Sequence, residues 1–200
     1  MSMLDGVSQC WWLSETCVVN WDAWAAIGTV AAVFTAVFAP SFQRMLVRKR
    51  ANALFALAYR TDLFTAYTNA QALRRMYPFG MGNGAAYAAE GMLLADEAFR
   101  AALTADASAL EVFISRDVDL TRWQGVDISL AAKVALAIET TRHLHKLYVN
   151  LVVSGRDGDA GNYFYVAKHV SELADKHLSD ANSAVSRAVK PILGDAQLGP

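Results

Sequence analysis

A chain of 200 residues is long enough for one domain with a real core plus a tail or anchor. Its 18 basic and 19 acidic side chains nearly cancel, which excludes a general nucleic-acid binder, a function that needs a clear basic excess. The hydrophobic share of 54% exceeds the usual roughly 45–50%, with alanine dominating the excess and only 4 prolines, so helices are expected throughout.

The chain begins with a stretch that holds both cysteines, CWWLSETC at 10–17, so no metal or disulfide framework is available to the rest. Residues 23–39 then read AWAAIGTVAAVFTAVFA, without a charge or a strong helix breaker. Extended to Phe42, across Pro40 and Ser41, the run has about the 20 apolar or small residues that span a hydrocarbon core. Trp21 and Trp24 mark one edge, where amphipathic rings favour the headgroup level, and Arg44, Arg48, Lys49 and Arg50 mark the other. A signal peptide has the reverse order, with positive charge before its apolar run. The residues before this run include Asp5, Glu15 and Asp22 and no Lys or Arg, so the positive-inside rule puts the N-terminus outside and the rest of the chain in the cytoplasm. The four cations should also attract anionic lipid, at about 1 kcal/mol each.

That orientation places Cys10 and Cys17 where disulfides form. A helical pair seven residues apart would be separated by about 10 Å, beyond disulfide reach. A short loop closed by Cys10–Cys17 is therefore expected, with Trp11 and Trp12 on the membrane surface; an intermolecular bridge and free thiols are the alternatives. Within the run, Ala25, Gly28, Ala32, Ala36 and Ala39 recur at three and four, a small-residue stripe of the kind through which membrane helices approach and pack.

Beyond Pro40 the periodicity stays helical. Phe55, Tyr59, Leu63, Ala66, Ala70, Leu73 and Tyr77 form one stripe over about 42–77, ended by PFGMGNG at 78–84. A second helix is expected over about 85–103, and Ser108 with Glu111 has the spacing of a capping box for a short helix near 108–115. RDVDLTRWQGVD, 116–127, reads as a connection that tucks in Trp123. Asp127 or Ser129 caps the strongest helix, about 129–153, whose stripe is Leu130, Val134, Ala137, Thr141, Leu144, Tyr148 and Leu151. After a Gly- and Asp-rich turn at 154–162, Asn162 is the expected N-cap of a last helix that ends near Pro191. Its stripe starts Tyr163, Val166, Val170 and Leu173, then drifts to Leu178, Ala181, Val185 and Val189.

The expected fold is all-α: a short extracytoplasmic segment (1–21), a single transmembrane helix (22–42) and an antiparallel cytoplasmic helical bundle of about four main helices (43–200).

The chemical motifs are weak. GMGNG at 80–84 follows a helix rather than a strand and matches neither phosphate-loop pattern. DGDAGN at 157–162 departs from the calcium-loop pattern at Gly161, Asn162 and Lys168. Glu139 with His143, and His169 with Glu172, would suit a metal site between two helices, but both pairs lie off the apolar stripes and face solvent. No GxSxG-type triad signal is present. No catalytic residue, metal site or cofactor is therefore assigned.

The stretch WDAWAAIGTVAAV, followed by APSFQR and basic residues, resembles the N-terminal anchor of many small bacterial membrane proteins of unknown function, some of them found near phage-defence or toxin-immunity genes. The resemblance covers about residues 20–50, implies a bacterial inner-membrane location and carries no catalytic residues. The expected partners are the lipid bilayer and a protein partner or a second copy. The expected role is scaffolding, regulatory or protective; a membrane-perturbing effector that oligomerises through the stripe and a helical-bundle metalloenzyme are the alternatives. Gly28→Leu is predicted to lower self-association in a membrane two-hybrid assay, and an unchanged signal would remove the stripe from consideration.

Overall fold

The structure, a computed structural model, describes residues 21–157 and 160–193, with side chains from 24 to 157 and from 160 to 190. Six helices follow in order: α1 (Trp21–Met76), α2 (Gly84–Ala95), α3 (Glu97–Ser108), α4 (Glu111–Ile114), α5 (Ile128–Asp157) and α6 (Gly161–Leu193). Among the described residues no strand occurs. The chain divides into two compact units, Met1–Val47 and Arg48–Pro200, and α1 contributes to both.

In the first unit, α1 passes through Pro40 without a break, although proline withdraws one backbone donor. The two threonines of the apolar run satisfy their own hydroxyls. Thr29 Oγ1 donates to the Ala26 carbonyl and Thr35 Oγ1 to that of Ala31, each at 2.8 Å. An 18-residue window near the N-terminus has a mean hydropathy of 1.8 with 0% of it buried, so this helix is long and apolar enough to cross a membrane.

The second unit has one continuous core. Every residue of the α1 stripe from Phe55 to Tyr77 and of the α5 stripe from Leu130 to Leu151 is buried in it. α1 and α5 are tied at one end, where Asn52 Oδ1 accepts from Asp127 N at 2.7 Å. At the other, Phe79 packs against Tyr148 with ring centroids 6.5 Å apart. The connection before α5 folds back on α1: Tyr59 donates to the Asp117 carbonyl (2.8 Å), Arg116 pairs with Asp62 (2.8 Å), and Trp123 meets Phe55 edge to face at 5.4 Å.

Local chemistry refines several boundaries. The helix expected over 85–103 is two helices, because Asp96 leaves the helical region (φ −115°, ψ 118°) and its carboxylate accepts from Ala98 N, capping α3. Arg100 adds a second stop by donating to the Leu93 and Leu94 carbonyls at the end of α2. The capping box does not form: Ser108 is the last residue of α3 and donates back to Ala105, while Leu110 precedes α4 without a side-chain cap. Asp127 is the cap of α5, accepting from Ser129 N at 2.9 Å. The helix then runs past Ser154 to Asp157, and Gly155 within it packs closely on Leu93, 3.1 Å from where a Cβ would stand. Asn162 lies inside the first turn of α6, and Tyr163 N instead bonds the Ala160 carbonyl.

Gly80 and Gly82 connect α1 to α2 with φ of 70° and 66°, and Asn83 caps α2 by accepting from Ala86 N. Their surroundings differ. A Cβ on Gly80 would collide with the Phe164 carbonyl oxygen, whereas nothing lies within 4 Å of one on Gly82. Gly80→Ala is therefore predicted to cost about 2–4 kcal/mol, backbone strain plus overpacking, and Gly82→Ala only about 1–2 kcal/mol. Denaturant unfolding of the two variants measures the difference; equal losses would refute the close approach.

Candidate functional site

Three features remain once the core is accounted for: the apolar run with its basic end, and two clefts in the second unit. Trp24, Val33, Phe34, Val37, Phe38 and Phe42 are all exposed along α1. Ala25, Gly28, Ala32 and Ala36 are exposed as well, and a Cβ on Gly28 would meet nothing within 4 Å. Arg44 is exposed in the first unit, and Arg48, Lys49 and Arg50 are exposed where the second begins. Arg48 lies 3.6 Å from Asp127, an exposed pair that contributes at most about 1 kcal/mol. The Trp21 side chain, Cys10 and Cys17 lie outside the described residues.

The first cleft, of about 400 Å³, lies between α5 and α6 and is lined by Thr140, His143, Lys146, Leu147 and Asn150 on one side and Tyr163, Val166, Val170 and Leu173 on the other. It corrects the reading of α6. The early stripe of that helix is not the buried one: Ala167, Ser171 and Ala174 are buried, Tyr163 and Val170 pack half-buried against the core, and Val166 and Leu173 stay 43% and 47% exposed. The cause is volume. Tyr77, Phe79, Phe99, Tyr148 and Phe164 fill the core at this end with successive ring contacts of 5.3–6.5 Å, so only small side chains fit beneath them. Farther along, Leu178, Ala181, Val185 and Val189 are buried as the periodicity predicts.

The titratable groups near this cleft have ordinary partners. His143 Nε2 lies 3.2 Å from Glu139, which also pairs with Arg142. Glu172 turns to Arg74 of α1 at 3.7 Å, and the same guanidinium reaches Asp175 at 3.3 Å. His169 rests edge-on against Tyr165. Among the described residues, no group of three or more His, Cys, Asp or Glu side chains is placed to hold a metal ion. In the core, burial and then the 2.7 Å bond to Asp106 push the pKa of Tyr77 up, and burial does the same for Tyr148, so both phenols stay neutral.

The second cleft, about 350 Å³, is lined by Asn52 of α1, by Asp127, Ser129, Leu130 and Lys133 at the start of α5, and by Ala184, Arg187 and Ala188 of α6. Lys133 and Arg187, on different helices and 54 positions apart in sequence by subtraction of their numbers, stood out in no sequence pattern. Only the packing of α5 on α6 makes them neighbours of one cavity.

Comparison with known proteins finds no family model that matches the chain, and no curated protein or solved structure that matches it. The first cleft predicts a contrast within α6: Leu173→Asp should change stability by less than about 0.5–1 kcal/mol, whereas Leu178→Ala, fully buried, should cost about 2–5 kcal/mol. Urea titrations of the two variants decide it; equal losses would return Leu173 to the core.

Proposed function

We propose that this chain is a single-pass protein of a bacterial inner membrane, with its N-terminus outside and a cytoplasmic helical bundle that binds a protein partner or a second copy. The role is scaffolding, regulatory or protective, not catalytic. The observation that carries the reading is an apolar helical window with 0% of it buried, followed by Arg44, Arg48, Lys49 and Arg50. A core helix of comparable hydropathy hides its window inside the fold. This window has lipid as the solvent that matches it, and the hydroxyls of Thr29 and Thr35 are already bonded to their own helix. The absence of Lys and Arg before the window supports the orientation through the positive-inside rule.

The cleft between α5 and α6 supports the binding part of the reading. Val166 and Leu173 offer an apolar floor, and His143, Lys146 and Asn150 give it a polar rim, the composition of a groove that takes an amphipathic helix. The open space around Gly28 favours a second reading, in which exposed small residues of the span pack against another copy and the assembly perturbs the membrane. Induced expression separates the two: tolerated expression fits the scaffold, and growth arrest with loss of membrane potential fits the effector.

The protein is predicted to remain in the membrane pellet after alkaline carbonate extraction. A C-terminal tag should resist protease in spheroplasts and be cleaved in inverted vesicles. Release by carbonate overturns the anchor; cleavage in spheroplasts reverses the orientation. In a quantitative pull-down from detergent, a partner should be enriched with the wild type and lost with Leu173→Asp.

A further inference from the structure

The second cleft holds an imbalance of charge that the fold does not use. Lys133 has no ion-pair or hydrogen-bond partner among the described residues, although its side chain is only partly exposed. Arg187 donates Nε to the Ser183 carbonyl of its own helix at 3.3 Å and has no carboxylate partner among the described residues. The one acid lining the cleft is already engaged: Asp127 accepts from Ser129 N through Oδ1 and faces Arg48 through Oδ2 at 3.6 Å. Two cations from two helices therefore line the cleft without an ion-pair partner among the described residues, and outnumber its one carboxylate, Asp127.

Neutral donors complete the lining. Asn52 uses its oxygen on Asp127 N, which leaves its amide N–H groups as donors, and Ser129 contributes a hydroxyl. A planar guanidinium, a point-charge ammonium, an amide and a hydroxyl suit a tetrahedral anion with several acceptor oxygens. Leu130, Ala184 and Ala188 add an apolar wall for the carbon atoms attached to it. The volume, about 350 Å³, falls within the roughly 300–1,000 Å³ of small-ligand sites.

We propose that this cleft binds a phosphate group through Lys133 and Arg187, presented either by an anionic phospholipid headgroup or by a soluble phosphate ester. The lipid source rests on the membrane reading above, because Arg48, Lys49 and Arg50 immediately precede this cleft's Asn52 in sequence and would stand at headgroup level. The soluble source does not depend on it.

The test uses the full-length protein in a neutral detergent, titrated separately with dioctanoyl phosphatidylglycerol and with glycerol 3-phosphate, with thermal unfolding as the readout. The double variant Lys133→Gln/Arg187→Gln removes both charges, and Arg50→Gln removes a cation outside the cleft as a control. At least one ligand should raise the wild-type unfolding midpoint, the double variant should weaken that ligand about tenfold or more, and the control should change it less than about twofold. Response to phosphatidylglycerol alone identifies the lipid, and an equal response to glycerol 3-phosphate identifies the soluble ester. No response to either ligand, or equal responses from wild type and double variant, overturns the proposal. Carbonate extraction tests the anchor separately. A chain that is released by carbonate yet binds glycerol 3-phosphate through these two residues loses the anchor and keeps the cleft.

Discussion

The second unit depends on the apolar stripe of α5. Twelve residues of this helix are buried, from Leu130 to Gly155, and nearly every other element packs on some part of them. A helix buried along that much of its length has no rotational freedom, since a turn about its axis would expose Val134, Leu144 and Leu151 and bury Lys133, His143 or Lys146. Its neighbours are consequently placed by it. Asp127 and Asn52 set the register of α1 at one end, and Gly155 admits Leu93 of α2 at the other. Both clefts lie against α5, because its polar residues must emerge beside its buried stripe.

Packing along that stripe is uneven, and the unevenness makes the first cleft. Aromatic rings crowd one end of the core, so α6 contributes Ala167, Ser171 and Ala174 there and larger residues such as Leu178 and Val185 farther along. Close packing leaves no room for a second layer of bulk. Val166 and Leu173 are displaced to the surface beside half-buried Val170, where a hydrophobic groove has value for binding that it does not have for folding. The same geometry leaves the polar residues of α6 free to meet α1, as Asp175 and Glu172 do at Arg74.

The apolar run of the first unit is long and apolar enough to cross a membrane. Its side chains match a hydrocarbon phase as the stripes of α1 and α5 match each other, and its hydroxyls close on their own backbone. The proposed anchor and the proposed phosphate cleft are linked through charge. The cations that would end the span directly precede Asn52, and one of them, Arg48, lies 3.6 Å from Asp127, the one acid in the cleft's lining.

The helical class, the apolar window and the buried stripes from Phe55 to Tyr77 and from Leu130 to Leu151 were legible in the sequence, because each depends on a period carried within one segment. The α5 cap was legible as a choice between Asp127 and Ser129, being a contact between residues two apart, and the structure selects Asp127. The break at Asp96 was not: a helix-compatible run was divided by the carboxylate's own bond to Ala98 and by Arg100, two interactions that a hydrophobic pattern does not register. Nor was the face of α6. Its periodicity offered one apolar stripe, and aromatic volume from several segments, Phe164 of α6 included, decided which residues it buried. Lys133 and Arg187 were unremarkable as letters in a chain; they line one cleft only because α5 and α6 pack together. Local periodicity determines what each helix can bury, and only the packing of several helices decides which of those side chains is left over to bind something else.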